Sequence, residues 1–152
     1  MKKFIILGEP KGKGRPRFTR NGHTYTPERT ANYETLVRLE YERQCEGMFE
    51  QGIPLELNIK AYFAIPKSAS KRKKEAMRTG QLRPTKKPDM DNIVKIVADS
   101  LNGAAYHDDA QIVSTSIEKW YAAVPRVEVS IGEIGTVNNN RDTKNQGGIE
   151  NV

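Results

Sequence analysis

Apolar and polar residues alternate from Leu55 to Ile65. Leu55, Leu57, Ile59, Ala61, Phe63 and Ile65 take every odd position, and the positions between them are mostly polar. A period of two places all of these on one side of a strand, so residues 55 to 65 are predicted to form a half-buried strand. A different period holds between about 27 and 46, where Tyr33, Leu36, Val37, Tyr41 and Cys45 recur on one helical face and Thr26-Pro27 supplies an N-cap and first position. Another helix is expected to begin near Asp91 or Asn92, either of which can cap it. Its buried stripe is Ile93, Ile96, Val97 and Leu101, and Gly103 stops it. Residues 3 to 7, 111 to 121 and 126 to 133 read as further strands, the last two joined through Val124-Pro125. Between these elements, Ser68 to Thr79 suits a helix that is mostly solvated, and Arg83 to Pro88, with its two prolines, is extended by default.

This order implies an α+β fold, an α/β sandwich in which a small mixed sheet of about four strands packs against two main helices, those at 27 to 46 and after Asp91. Residues 1 to 134 form one domain, and the polar, Asn- and Gly-rich stretch from 135 to 152 has almost nothing to bury and is expected to be disordered. With 36% hydrophobic residues and no apolar run near the ~20 that a bilayer span requires, a membrane-spanning helix is excluded. The apolar start, Phe4-Ile5-Ile6-Leu7, ends at Gly8-Glu9-Pro10, too short for a signal peptide. One cysteine, Cys45, permits neither an internal disulfide nor a cysteine-based metal framework, so a cytoplasmic location is expected.

Charge changes the picture more than composition does. The net charge of +6 and a pI near 9.4 suggest a polyanionic partner. That charge is segregated. Residues 1 to 20 hold seven Lys or Arg against one Glu, within a Gly- and Pro-broken loop from Gly8 to Pro27 whose tip, Arg20-Asn21-Gly22-His23, can close a small hairpin. Residues 67 to 87 hold nine against one, and residues 88 to 118 hold six carboxylates against Lys95. A protein that only grips phosphates gains nothing from carboxylates beside its binding surface unless a cation lies between them and the phosphate.

The acidic stretch supplies candidates for such chemistry. Asp89 and Asp91, two apart in a segment expected to be still extended, project to the same side and suit a shared hard cation such as Mg²⁺. Lys95 and Asp99 continue the face of the helix that follows, and the turn at Gly103 can return Asp108-Asp109 toward that helix's start. Carboxylate ligands, a lysine and a distant further aspartate are what metal-assisted phosphodiester hydrolysis requires. Each residue also has a plain structural role: Asp91 serves equally as an N-cap, Asp108-Asp109 as a polar turn, and Lys95 with Asp99 as a solvated ion pair. Neither His23 nor His107 has a ligand-spaced partner, and no Ser or Cys nucleophile has a suitable arrangement around it.

The string Pro88-Asp89-Met90-Asp91-Asn92-Ile93-Val94-Lys95, then Asp99-Ser100-Leu101-Asn102-Gly103, then Asp108-Asp109-Ala110-Gln111-Ile112-Val113 resembles the RusA family of Holliday-junction resolvases of bacteria, phages and prophages. Gly8 to Phe18 is similar to the basic loop of the phage-derived branch, and the resemblance spans roughly residues 3 to 133. It implies a dimeric, Mg²⁺-dependent endonuclease, with Mn²⁺ as the alternative metal, that cuts four-way DNA junctions by paired symmetrical nicks. Carried over position by position, Asp89, Asp91 and Asp109 would bind metal, Lys95 would be the essential lysine, and Asp99 and Asp108 would be secondary.

The expected DNA contacts are backbone-directed, from Lys11, Lys13, Arg15 and Arg17 in the first loop, Lys71, Arg72, Lys73 and Lys74 on the basic helix, and Lys86 and Lys87 before the acidic motif. The rival readings are a non-catalytic DNA-binding module whose aspartates are caps and turns, and a nuclease acting on other branched DNA such as flaps or forks.

Overall fold

The computed structural model describes residues 1–14, 17–25 and 28–134. In chain order its elements are β1 (Lys2–Leu7), β2 (Arg17–Phe18), β3 (Thr24–Tyr25), α1 (Glu28–Gln44), β4 (Leu55–Ala64), α2 (Lys71–Arg78), α3 (Met90–Ser100), β5 (Ile112–Ala122) and β6 (Arg126–Glu133). The expected Thr26-Pro27 cap and the tail from 135 to 152 lie outside the described residues.

The period-two segment becomes the central strand. β4 buries Leu55, Leu57, Ile59, Ala61 and Phe63. It lies between β6, which is antiparallel to it, and β5, which is parallel, in a mixed sheet of order β1-β6-β4-β5. The fold is therefore the expected α+β class. β5 and β6, consecutive in sequence, are not neighbours. The crossover from β4 through α2 and α3 delivers β5 parallel to one edge of β4, and the turn at 123–125 then carries the chain past β4 to its other edge. β2 and β3 form the small hairpin expected at the loop tip, with Phe18 opposite Thr24.

One face of the sheet is covered by α1 and α3. Phe4, Ile6, Val127, Val129 and Ile131 join the inward residues of β4, and Tyr33, Val37, Tyr41, Ile93, Ile96, Val97, Leu101 and Tyr106 close the core from above. Phe4 and Tyr41 meet edge to face, their ring centres 5.5 Å apart. The buried line of α1 is Thr30, Tyr33, Val37 and Tyr41. Leu36, expected on that line, lies about 100° round the helix from Val37 and is 37% exposed.

α3 begins earlier than its apolar stripe requires. Asp89 occupies the N-cap position in extended geometry without a side-chain capping bond, Asp91 lies in the first turn, and Ile93 N–H donates to the Asp89 carbonyl at 3.1 Å. The expected cap at Asp91 or Asn92 is thus displaced to Asp89. Asp91 and Asn92 are weak formers of a helix interior, but in the first turn an acidic side chain favours the helix's positive end.

The opposite sheet face is largely uncovered by helices. Across it runs the row Ile5, Glu128, Lys60 and Glu118, with Lys3, Ser130, Asn58 and Ser116 beside it. A shallow depression of about 370 Å³ lies among these residues. At the outer edge of β1, the Gln44 side chain donates to Ile5 O at 2.8 Å and accepts from Ile5 N–H at 2.9 Å, occupying backbone groups that would otherwise be free to pair.

Candidate active site

α3 is the spine of the site. Asp91, Lys95 and Asp99 recur at intervals of four, so they share a face, with Asp91 and Lys95 exposed and Asp99 half-buried. Asp89 stands at the start of the helix, half exposed, with the Lys87 ammonium 3.3 Å from its carboxylate. The basic first loop packs against this same end. Lys13 N–H donates to Asn92 O at 3.0 Å, and a Cβ at Gly12 would lie 2.8 Å from Pro88 Cβ and 3.0 Å from Asn92 Cβ, so the backbone fits there only without a side chain.

At the other end of α3, Leu101 caps the helix and Gly103, at φ +77°, turns the chain. A buried Gln111 then anchors the returning segment. Its side chain donates to Glu50 O and Ile53 O and accepts from the backbone N–H groups of His107 and Asp108. Asp108 caps the single 3-10 turn Asp109–Gln111 by accepting from Ala110 N–H at 3.0 Å. Asp109 is delivered to Asn102, whose Nδ2 donates to its carboxylate at 3.1 Å while Asn102 Oδ1 accepts from its backbone N–H at 2.8 Å.

Asp109 meets Asp99 and Asp108 there. Burial raises the Asp109 pKa, the Asn102 hydrogen bond opposes that rise, and the adjacent carboxyls of Asp99 and Asp108 add to it. Lys13 balances the cluster from the side, its ammonium paired with Glu34 of α1 and 3.5 Å from Asp99. Burial lowers the Lys13 pKa, but the Glu34 hydrogen bond and the charges of Glu34 and Asp99 outweigh that and leave it raised.

Asp99, Asp108 and Asp109 are therefore brought together, with Asn102, Lys13 and Glu34 around them. Asp89 and Asp91 are at the opposite end of the helix, where ten residues from Asp89 to Asp99 correspond to about 15 Å of rise. The sequence expectation that Asp109 returns toward the helix start is corrected: the hydrogen bonds to Asn102 hold it at the helix end. Oxygen donors are the class a hard divalent cation takes. Among the described residues, however, no group of three or more His, Cys, Asp or Glu side chains is arranged to hold a metal ion.

The expected DNA contacts divide in the same way. Lys71, Arg72 and Lys73 are exposed on α2, with Lys74 partly so, and Lys11 is exposed in the first loop. Lys86 is exposed but rests its ammonium over the Phe63 ring, and Lys87 pairs with Asp89. Lys13 is committed to carboxylates. Arg15 lies outside the described residues, and Arg17 is placed in β2 by its backbone.

This ordering of acidic motif, basic flank and sheet meets the comparison with known proteins. Residues 8–132 match the family model of Endodeoxyribonuclease RusA. The chain belongs to the RusA endodeoxyribonuclease family. A RusA relative, the crossover junction endodeoxyribonuclease rusA of Lactococcus phage r1t, is 32% identical over 128 residues, covering 84% of this chain and 86% of its own. The uncharacterized protein YqaN of Bacillus subtilis (strain 168) is 42% identical over 137 residues, covering 87% of this chain and 96% of its own. As a RusA-family protein the chain is an enzyme of DNA phosphodiester hydrolysis, and the RusA match encloses both ends of α3 together with the Asp108-Asp109 turn.

Sequence reasoning passed over Asn102 and Glu34. Asn102 had a signal, since an Asn before the Gly that stops a helix is placed to bond onward into the turn. Glu34 had none, because its partner Lys13 is 21 residues away across a loop.

Proposed function

We propose that the protein is a homodimeric, Mg²⁺-dependent endonuclease that resolves four-way DNA junctions by paired symmetrical nicks, working in the cytoplasm. The observation that carries the reading is a single helix face bearing Asp91, Lys95 and Asp99, with Asp109 hydrogen-bonded at its end and Asp89 at its start. Asp89, Asp91 and Asp109 would hold divalent cations, Mg²⁺ or in its place Mn²⁺. With about 15 Å of helix rise between Asp89 and Asp99, Asp109 would serve a different ion from Asp89 and Asp91. When bound, such an ion supplies Lewis-acid polarisation of the scissile phosphate and lowers the pKa of a coordinated water.

The chain's own residues do the rest. Lys95, one turn beyond Asp91, faces the region of the phosphate and stabilises charge developing on its non-bridging oxygens. Asp99, held by Lys13, and Asp108 are secondary carboxylates that keep the cluster negative. Lys71, Arg72, Lys73, Lys74 and Lys11, with Lys86, Arg15 and Arg17, hold backbone phosphates on either side and recognise DNA by shape rather than by sequence.

A dimer follows from the task. One chain has one such face, whereas two nicks related by the two-fold axis of a junction need two. The uncovered sheet face, with Ile5 40% exposed beside the Glu128, Lys60 and Glu118 row, supports a second copy as its cover.

The test is cleavage of a synthetic four-way junction, with linear duplex of the same sequence as control, by the wild type and by Asp91→Asn, in Mg²⁺ and in EDTA. Paired nicks are expected on the junction alone, only with Mg²⁺, and reduced about a hundredfold or more in the variant. Cutting of flaps or forks in preference to junctions would move the substrate to other branched DNA. Binding without cutting in Mg²⁺, and again with Mn²⁺ in its place, would make the protein a DNA-binding module.

A further inference from the structure

Gln111 and Asn102 both hold the 107–111 segment, and they hold different things. Gln111 fixes its backbone, through bonds to His107 and Asp108 on one side and Glu50 and Ile53 on the other. The backbone around Asn102 is fixed independently of its own side chain. Arg38 donates to Asn102 O at 3.1 Å and to Gly103 O at 3.3 Å, Gly103 N–H donates to Tyr106 O at 2.8 Å, and Ala104 N–H donates to Leu101 O at 3.0 Å. The Asn102 amide is therefore free for another task, and it faces Asp109 twice. Because Oδ1 must accept from the Asp109 N–H, Nδ2 is left pointing at the carboxylate, so the two bonds fix the amide's orientation as well.

The other groups on that carboxylate are Asp99 and Asp108, both acidic. Two carboxylates oppose the Asp109 charge and one neutral amide donor supports it. Lys13 does not do so directly, because its ammonium is taken by Glu34 and Asp99.

We propose that Asn102 is a positioning residue of the nuclease: its amide aims the Asp109 carboxylate and keeps it available to a divalent cation against the crowding of Asp99 and Asp108. This inference rests on the reading of Asp109 as a metal-binding residue. Carboxylates that ligate metals are themselves hydrogen-bonded, and loss of such a support weakens metal affinity by about 10- to 100-fold.

The probe is Mn²⁺ alone, titrated into the full chain without DNA and followed by the paramagnetic resonance signal of free Mn²⁺. The wild type, Asn102→Ala and Asp109→Asn are compared, with thermal melts and junction binding in EDTA alongside. Asn102→Ala is expected to bind Mn²⁺ about 10- to 100-fold more weakly, to melt in EDTA within a few degrees of wild type, and to bind junction DNA unchanged in EDTA. Weakened Mn²⁺ binding in Asp109→Asn with wild-type binding in Asn102→Ala overturns the positioning role and leaves the reading of Asp109 intact. Wild-type Mn²⁺ binding in both variants overturns the reading of Asp109, and this inference with it. Should Asn102→Ala not fold, Asn102→Ser, which keeps an acceptor for the Asp109 N–H but is too short to reach the carboxylate as Nδ2 does, takes its place. If neither folds, the side chain is structural and the proposal fails.

Discussion

Lys13 carries two kinds of bond that pull its loop onto the helices. Its backbone N–H is tied to Asn92 O and its ammonium lies between Glu34 of α1 and Asp99 of α3. The side chains are largely covered, at 18% exposure for Lys13, 26% for Glu34 and 29% for Asp99, and burial is the largest single influence on the Lys13 ammonium, outweighed only by the two carboxylates together. Replacing Lys13 with Met leaves two carboxylates without their cation. It is expected to destabilise the fold by about 1–2 kcal/mol in urea denaturation, while leaving the salt dependence of junction binding unchanged because the ammonium was never free for phosphate. A shallower salt dependence in Lys13→Met would return this residue to the DNA contacts. Gly80 is constrained differently. It sits at φ +82°, where a Cβ would lie 2.8 Å from the Trp120 ring, itself covered by the Arg83 guanidinium at 3.3 Å. Gly80→Ala combines backbone strain with a steric clash and should cost about 1–3 kcal/mol in the same measurement. An unchanged midpoint would mean that Trp120 moves aside freely.

α2 is the element whose role depends least on packing. Met77 is its one buried residue, and Ser70 caps it by accepting from Lys73 N–H at 3.2 Å. Removing Lys71, Arg72, Lys73 and Lys74 together in favour of Ala should leave the melting temperature nearly unchanged, since Ala is a strong helix former. Junction affinity should fall, and the slope of log affinity against log salt should become shallower by about 0.9 for each phosphate that is no longer neutralised. An unaltered slope would show that DNA passes elsewhere. Elements of this kind were legible in the sequence because their evidence is local. β4 was written in its alternation, α3 in the spacing of Ile93, Ile96, Val97 and Leu101, and the hairpin in Asn21-Gly22. What was not legible is partnership. Nothing in residues 112 to 133 states that β4 separates β5 from β6, and nothing near Asp109 states that Asn102 holds it at the end of α3 rather than beside Asp91. Leu36 fell off the buried line for a related reason: the line of α1 passes through Thr30, Tyr33, Val37 and Tyr41, and the sequence alone does not show that the core lies on Val37's side of Leu36.

For the whole molecule, the core tyrosines set the alkaline limit of stability. Burial pushes the Tyr33 hydroxyl up to about 12, and burial together with the nearby Cys45 pushes Tyr41 up to about 12. Tyr106 is raised as well, by burial first and then by the charges of Asp109, Asp99 and Asp108. These groups titrate near 10 in an unfolded chain. Their folded values are higher, so the stability they confer is complete below about pH 10 and is lost as pH rises toward about 12. Unfolding followed by circular dichroism should coincide in that interval with tyrosinate absorbance. Ionisation of more than three of the chain's six tyrosines while the protein is still folded would contradict the burial of these rings.

The sheet order has one more consequence, for synthesis. Among the described strands β1 is synthesised first, yet its neighbour in the sheet is β6, the last of them. Until residues 126 to 133 emerge, β1 and one side of β4 have no partner, and the apolar sides of both strands have no complete layer to join. A chain broken off after the acidic motif therefore already contains every aspartate and lysine of the site, but not the strand that holds the sheet together. A chain cut before residue 126 is therefore expected to be digested by protease faster than the full chain and to cut no DNA.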